Sequence, residues 1–225
     1  MPVYRNELKH VITVSDAKAI AMNLSVIAKR DPHTGPDGQY RIRSLYLDDL
    51  RDTALREKLD GVSCRQKFRI RYYNDDTSFI MLEKKVKEGG AGYKLQHRLT
   101  REQVESILAG DTAFLATSGE PLLIDFYLQM KNRGLRPKVV VQYDRIPFVY
   151  EPGNVRVTID FNVRAGKVVR DFLNPDQVTI PVTGGLVLLE VKWDDFLPGN
   201  IRSALQLKNR GQSAFSKYAQ CRIFG

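Results

Sequence analysis

Cysteine is scarce in this sequence, and the scarcity excludes two common ways of stabilising a domain. The 225 residues contain two cysteines, Cys64 and Cys221, which lack the spacing of metal ligands. A framework of disulfide bridges cannot be built from a single pair. We therefore expect a protein of a reducing compartment.

Long apolar runs and signal segments are missing as well. No stretch of about 18 apolar residues occurs, which is the length that a membrane-spanning helix needs. The first residues, 1–7, include no apolar core of the signal-peptide type. These absences favour a cytoplasmic protein. No composition shift marks a linker, so we predict one domain over residues 1–225.

Basic residues exceed acidic ones, with 35 Lys and Arg against 26 Asp and Glu, which gives a net charge of +9 and a pI near 9.5. This balance favours polyanionic partners such as nucleic acid, an anionic membrane or phosphorylated small molecules. The charge is spread along the chain, however, and the 10 Tyr and 10 Phe form no recognisable base-stacking motif. Specific nucleic-acid binding is therefore not expected.

The most informative stretch runs from Gln66 to Lys87 and predicts a β-hairpin around the polar turn Asn74-Asp75-Asp76. Side chains alternate between the two faces of a strand. One face of this hairpin would carry five bases and a single carboxylate, namely Lys67, Arg69, Arg71, Lys85, Lys87 and Glu83. Like charges opposite one another across a strand pair are destabilising, so such a face is either screened by water or binds an anion.

Alternating apolar and polar residues predict eight strands in all. They are Tyr4–Val14, Tyr40–Asp48, Gln66–Tyr73, Phe79–Lys87, Tyr93–Leu99, Lys138–Val149, Val155–Arg164 and Leu186–Trp193. Capping residues and helical periodicity predict helices that follow Ser15 and Thr100, and others over Asp52–Leu59, Pro121–Lys131, Leu197–Leu207 and Ser213–Gln220. Strands joined by short connections, without a βαβ rhythm, indicate an α+β fold.

The charged strand faces have two interpretations. In the first, each face looks at water, as in most half-exposed sheets. In the second, the strands close into a barrel whose wet interior holds a polyanion, because a buried ion without a partner is costly. Arginine would then bind phosphate oxygens through its planar fork, lysine would add a point charge, and carboxylates would hold a divalent cation. The second interpretation describes a phosphoryl-transfer or triphosphate-hydrolysis site.

Seven short segments occur in the order seen in one known family. They are Glu7-Leu8-Lys9, Phe68-Arg69-Ile70-Arg71-Tyr72, Leu82-Glu83-Lys84-Lys85, Tyr143-Asp144-Arg145, Val155-Arg156-Val157, Leu189-Glu190-Val191-Lys192 and Phe215-Ser216-Lys217-Tyr218. In this order the chain resembles the VTC domain, the catalytic domain of the vacuolar transporter chaperone polyphosphate polymerases, a branch of the triphosphate tunnel metalloenzymes. The resemblance covers essentially the whole chain and implies an eight-stranded antiparallel tunnel β-barrel with flanking helices.

The resemblance also implies roles for individual residues. Members of this branch transfer the γ-phosphate of ATP to a polyphosphate chain and require Mn²⁺ or Mg²⁺. The implied catalytic, phosphate-binding bases are Lys9, Arg69, Arg71, Lys85, Arg145 and Arg156, and Glu190 is the implied metal ligand. The implied substrate contacts are Lys94, Arg98, Tyr143, Lys192, Ser216 and Lys217, the last two from a helix that closes one end of the tunnel. For Glu190, a buried ion pair with Lys192 or Arg156 stays an alternative.

Two residues depart from the family pattern. Arg5 stands where the wider superfamily has the first carboxylate of Glu-x-Glu-x-Lys, which argues against its hydrolase branches, and Ala214 stands where some polymerases carry a further lysine. The alternatives to a polymerase are a tripolyphosphatase or nucleoside triphosphatase, a non-catalytic polyphosphate-binding module and, least favoured, a general nucleic-acid binder. Expected ligands are ATP or another triphosphate and inorganic polyphosphate, and a membrane partner stays open.

Overall fold

The computed structural model describes residues 5–89, 91–205 and 211–225. In these ranges the chain forms ten strands and seven α-helices. The strands are β1 (Asn6–Ile12), β2 (Lys29–Arg30), β3 (Tyr40–Asp48), β4 (Arg65–Tyr73), β5 (Asp76–Glu88), β6 (Ala91–Leu99), β7 (Arg136–Tyr150), β8 (Val155–Gly166), β9 (Ile180–Pro181) and β10 (Val187–Trp193). The helices are α1 (Val14–Ile27), α2 (Thr53–Leu59), α3 (Arg101–Ala109), α4 (Ala113–Ala116), α5 (Pro121–Arg133), α6 (Gly199–Leu205) and α7 (Lys217–Phe224).

All these strands belong to one antiparallel sheet. Its eight long strands follow the order β1-β10-β8-β7-β3-β4-β5-β6, and the short strands β2 and β9 pair with β7 and β8. The long strands coincide with the eight predicted ones, so the α+β class with a large antiparallel sheet is confirmed. Among the described residues no hydrogen-bonded pairing joins β1 to β6, and closure of the sheet into a barrel therefore stays a prediction.

The β4–β5 hairpin has the predicted turn. Asn74 and Asp75 adopt positive φ angles of 51° and 59°, the conformation of tight two-residue turns that match the twist of paired strands. The resulting register places Arg69 opposite Glu83. Because opposite residues share a face, the charged side chains collect on one side of the hairpin, as predicted.

Two apolar clusters cover the outer face of the sheet. In the first, α3 and α5 pack on β4 and β5, and the buried side chains include Phe68, Ile70, Leu82, Val104 and Phe126. In the second, α1 and α6 pack on β8 and β10, and the buried side chains include Leu24, Val157, Ile159, Val191 and Ile201. Since alternate strand residues are buried outward, the charged residues between them are directed to the opposite face.

The sheet curves strongly toward this opposite face. Five strand spacings separate β5 from β10, which would be about 24 Å in a flat sheet. In the folded chain the charges of Glu7 on β1 and Glu190 on β10 nevertheless act on Lys85 of β5. We name the surface formed by these inward side chains the concave face.

One end of the concave face is covered by α7. Tyr218 and Cys221 of this helix pack on Tyr46, Val141 and Tyr143, and together they form a third apolar cluster on the inner side of the sheet. The rings of Tyr46 and Tyr218 stack with their centroids 4.9 Å apart. This third apolar cluster therefore bounds the polar part of the concave face at one end.

The helix caps are predicted correctly in one case and wrongly in another. The box formed by Thr100 and Gln103 caps α3 as predicted. The predicted cap Ser15 is wrong for α1, which is capped by Thr13. The reason is that Thr13 has Asp16 three residues later, and their side chains and N–H groups form a reciprocal capping box.

The C-terminal helices begin later than predicted. α6 lies within the predicted Leu197–Leu207, of which residues 206 and 207 fall outside the described residues. The predicted start of the last helix at Ser213 is wrong, because the Ser213 N–H donates to the Lys9 carbonyl at 2.7 Å and the helix begins only at Lys217. No helix in the described ranges is long and apolar enough to cross a membrane.

Phe126 anchors α5 on the outer face of β4, where its fully buried ring stacks on Phe68 with centroids 5.3 Å apart. We expect Phe126→Ala to lower the free energy of unfolding by about 3–5 kcal/mol, through lost burial and the remaining cavity. Urea denaturation followed by circular dichroism measures the change. Leu128→Ala on the same helix is the matched control, because Leu128 is 47% exposed, and equal losses for the two variants would contradict this assignment of the outer core.

Candidate functional site

The predicted site residues that lie on strands share the concave face. Cross-strand register places them there in each strand pair, because residues opposite one another point to the same side. They are Lys9, Arg69, Arg71, Lys85, Lys94, Arg98, Tyr143, Arg145, Arg156, Glu190 and Lys192. The other two predicted residues, Ser216 and Lys217, lie at the start of α7 beside this face.

A first cluster forms around Glu83, whose side chain is 5% exposed. Arg69 Nε and Nη2 both lie 2.5 Å from Glu83 Oε2, and Lys94 Nζ lies 3.1 Å from Oε1. Arg71 approaches the same carboxylate to 4.0 Å and donates to the Tyr143 hydroxyl at 3.2 Å. Burial raises the pKa of Glu83, but the charges of Arg69 and Arg71 outweigh burial and hold this pKa well below its ordinary value. Glu83 is therefore ionised and, from β5, holds bases of the two neighbouring strands, β4 and β6.

A second cluster forms around Asp160, which has no exposed surface. Arg145 binds both carboxylate oxygens, with Nε at 2.6 Å and Nη2 at 2.8 Å, and Lys217 Nζ lies 2.5 Å from Oδ2. Lys217 also lies over the ring of Tyr143, 4.6 Å from its centroid. Burial raises the pKa of Asp160, but Arg145 and Lys217 together lower it below the ordinary value. One carboxylate thus holds a base of the sheet and the first residue of α7 in place.

A third cluster joins β1 and β10. Glu190 lies 2.6 Å from Lys192 Nζ and 3.4 Å from Lys9 Nζ, and Glu7 lies 3.1 Å and 3.6 Å from Lys9 and Lys192, respectively. Burial raises the pKa of Glu190, but Lys192 and Lys9 outweigh it and hold the pKa well below the ordinary value. Two carboxylates and two lysines therefore alternate across neighbouring strands. The ion pair of Glu190 with Lys192 that the sequence left open is present.

Glu7 and Glu190 are the groups of this cluster that suit a divalent cation. The described residues contain no group of three or more His, Cys, Asp or Glu side chains that could hold a metal ion by themselves. Glu7 Oε1, however, is buried, and its ion pairs with Lys9 and Lys192 in these ranges lack the geometry of hydrogen bonds. A cation bound here would take these two carboxylates at most and would complete its shell with phosphate and water oxygens, as Mg²⁺ commonly does.

Three predicted residues lie at the margins of these clusters. Arg156 Nη2 lies 2.8 Å from Asp31, which connects the concave face to the loop after β2. Arg98 donates to the Ser78 carbonyl at 2.8 Å. Ser216 is the N-cap of α7, and its hydroxyl oxygen accepts a hydrogen bond from the backbone N–H of Ala219. Within the described part of the chain, neither Arg98 nor Ser216 contacts the three carboxylate clusters.

Sequence reasoning missed several residues of the concave face. It placed Lys67 and Glu83 on the charged face of the hairpin but did not include them, or the carboxylates Glu7 and Asp160, among the individual site residues. A signal was present for these four, because each alternates in sequence with a predicted base or lies opposite one in the hairpin. No comparable signal marks Tyr46, because the strand that carries it has no predicted site residue.

Tyr46 is an unusual member of the site. Its hydroxyl accepts a hydrogen bond from Arg69 Nη1 at 3.0 Å, and the residue is 5% exposed. Burial raises the pKa of Tyr46, but the charges of Arg69, Lys67 and Arg71 outweigh burial and lower the pKa to about 7. Such a low pKa for a phenol indicates a strongly positive electrostatic potential at this point of the concave face.

The buried charge of Glu83 makes stability depend on pH. Because folding lowers the pKa of Glu83, its contribution is fully present above the ordinary glutamate pKa of about 4.3 and is lost as the pH falls toward the lower folded value. We expect Glu83→Gln to reduce the free energy of unfolding by about 3 kcal/mol at neutral pH, because Arg69 loses its buried partner. The difference from wild type should shrink below about pH 4.

Urea denaturation at several pH values measures both effects. Glu105→Gln is the control, because Glu105 is an exposed partner of Arg101 on α3 and its removal should change stability by less than about 1 kcal/mol. A loss for Glu83→Gln that is the same at all pH values would contradict the assignment of an ionised carboxylate.

The fold is shared with solved structures of other proteins. HpAC1 from Hippeastrum, an adenylyl cyclase candidate described with a dominant triphosphatase activity, matches with a TM-score of 0.58 at 14% identity over 98% of this chain and 95% of its own. A candidate adenylate cyclase from Bacillus halodurans matches with the same TM-score and identity over 99% and 98%. At such identity the likeness shows the fold alone.

The sequence itself shows the family. No curated protein matches this chain significantly. The sequence profile of the VTC domain, in contrast, matches residues 4–223. This match covers nearly all of the chain and includes the seven segments that carried the resemblance, among them the ones that supply Arg69, Arg145 and Glu190. The chain therefore belongs to the VTC domain family.

Proposed function

We propose that this domain is a polyphosphate polymerase-like phosphotransferase that moves the γ-phosphate of ATP onto a polyphosphate chain. The observation that carries the proposal is the excess of bases over carboxylates on a curved, partly enclosed face. Glu83 and Asp160 each hold more than one base, so positive charge remains for a polyanion after the internal ion pairs are counted. The VTC family, one of metal-dependent enzymes that act on triphosphates, supports the same chemistry.

The geometry suits phosphoryl transfer because the bases are oriented before substrate arrives. Transfer through a loose transition state asks the protein mainly for alignment and for neutralisation of charge on the transferring group. The guanidinium groups of Arg69 and Arg145 are each held by two short contacts to one buried carboxylate. Their remaining N–H groups can bind phosphate oxygens without reorganising, and Lys217 brings a further charge from α7.

A divalent cation belongs to the proposal. Glu190 and Glu7 would hold Mn²⁺ or Mg²⁺, which would neutralise charge on the phosphate oxygens. Lys9 and Lys192, which pair with these carboxylates in the protein, would then be free to contact the phosphates. ATP or another triphosphate and inorganic polyphosphate are the proposed ligands, and no specific nucleic acid is among them.

Hydrolysis of a triphosphate in the same site is the second candidate. It is favoured by the triphosphatase activity described for HpAC1, whose fold this chain shares. The arginine at position 5 argues against it, since the hydrolase branches depend on a carboxylate there. A non-catalytic polyphosphate-binding module is the third candidate, and it needs the bases but not Glu190.

Incubation of the purified protein with ATP and Mn²⁺, followed by a gel stained for polyphosphate, tests the proposal. We expect a ladder of long chains from the wild-type protein. Arg69→Ala and Glu190→Gln should each reduce its rate of formation on the order of 100-fold, because each removes charge stabilisation at the transferring phosphate. Lys18→Ala is the control, because Lys18 is exposed on α1 outside the concave face.

The products separate the candidates. Orthophosphate without chains would replace the polymerase by a triphosphatase in the same site. Tight binding of tripolyphosphate without turnover would leave the binding module. A fully active Glu190→Gln variant would overturn the assignment of Glu190 to the metal.

A further inference from the structure

Lys67 stands in a row of like charges on the concave face. The hairpin register places Lys67 of β4 opposite Lys85 of β5, and Lys85 lies opposite Lys94 of β6. Lysines directly opposite one another destabilise a sheet. Such a row is retained at a cost in stability, and an anion that binds across it would remove the cost.

The three lysines differ in how their charge is compensated. Lys94 pairs with Glu83 at 3.1 Å. Neither Lys67 nor Lys85 lies within 4 Å of a carboxylate oxygen in the described ranges. Lys67 Nζ lies over the ring of Tyr46, 5.5 Å from its centroid. Lys67 and Lys85 are thus the least neutralised pair of this part of the face.

The charged and titratable groups that act on Lys67 come from every strand around it. Burial has the largest effect on the pKa of Lys67 and lowers it. The charges of Lys85, Arg69 and Lys9 lower this pKa further, and Tyr46 of β3 raises it. The result is a pKa of about 8 for Lys67. The ammonium group therefore loses its proton in a range where an exposed lysine keeps it.

We propose that Lys67 is a further phosphate-binding residue, and that a triphosphate anion binds at Lys67 and Lys85 together with a proton. The inference rests on the proposed function. It adds Lys67 to the residues that bind the phosphates, and it couples their binding to the uptake of a proton. An anion beside Lys67 favours the charged ammonium form, so a protein that has lost this proton must take one up on binding. The acid form of the buffer donates this proton and is left as its conjugate base.

Tyr46 responds in the same direction, because an anion nearby also favours the neutral phenol. Tyr46→Phe removes this contribution and leaves that of Lys67. Lys67→Arg does the reverse, since arginine keeps its charge throughout the range and cannot take up a proton. The two variants therefore divide the proton uptake between the two residues.

Titration calorimetry with tripolyphosphate, in EDTA and without divalent metal, tests the proposal at pH 8 in buffers of different ionisation enthalpy. We expect the wild-type protein to take up protons on binding, and less at pH 6, where Lys67 is already charged. Lys67→Met should weaken binding on the order of 10-fold to 100-fold through the loss of a charged hydrogen bond. Lys67→Arg should retain affinity and lose part of the uptake.

Lys18→Met is the matched control and should bind as the wild-type protein does, because Lys18 lies outside the concave face. Thermal denaturation gives a second readout that does not need ligand. Lys67→Met should raise Tm in buffer, because repulsion with Lys85 is removed, and tripolyphosphate should raise its Tm less than that of the wild-type protein.

Each result decides between the claims. Wild-type affinity in Lys67→Met, with binding lost in Arg69→Ala, would overturn the role of Lys67 and leave the proposed function standing. Unchanged proton uptake in Lys67→Arg would overturn the coupling to a proton. No tripolyphosphate binding by the wild-type protein would overturn the proposed function and this inference with it.

Discussion

Ionisation of a few buried carboxylates determines the arrangement of the concave face. Asp160 has no exposed surface and lies within 2.8 Å of nitrogen atoms of both Arg145 and Lys217, which would repel one another without it. An uncompensated charge in such a place costs several kcal/mol. The same carboxylate connects β7, β8 and the start of α7, so Asp160 contributes both to the electrostatics of the site and to the position of the helix that covers one end of the concave face.

The outer helices fix which strand residues face inward. Phe126 of α5 and Leu24 of α1 are buried against alternate residues of the sheet, and the residues between these must then point to the concave side. This packing brings bases from strands that are distant in the sheet to one surface. Burial of the outer clusters therefore offsets part of the repulsion among the inner bases.

Periodicity in the sequence located all eight long strands and the hairpin, but it could not say which face of a strand is inside. Arg43 illustrates the reason, because it alternates along β3 as the site bases do along β4. It is nevertheless buried on the outer side, where it donates to Gln142 and to the Pro175 carbonyl. Only the family resemblance distinguished the two kinds of arginine. The cap of α1 and the start of α7 were missed because they depend on side-chain hydrogen bonds and on the extended segment beside β1.

The three carboxylate clusters are not equivalent toward a phosphate chain. Glu83 and Asp160 are surrounded by bases, so each presents a neutral or positive surface to an anion. Glu7 and Glu190 lie diagonally across the β1–β10 pair, and Lys9 and Lys192 neutralise them. When these lysines turn to phosphate, two carboxylates are left that repel it, and only a cation between them can reverse the sign of the interaction. In the proposed reaction, the metal requirement is therefore expected to arise at β1 and β10 and not at the arginines of β4 and β7.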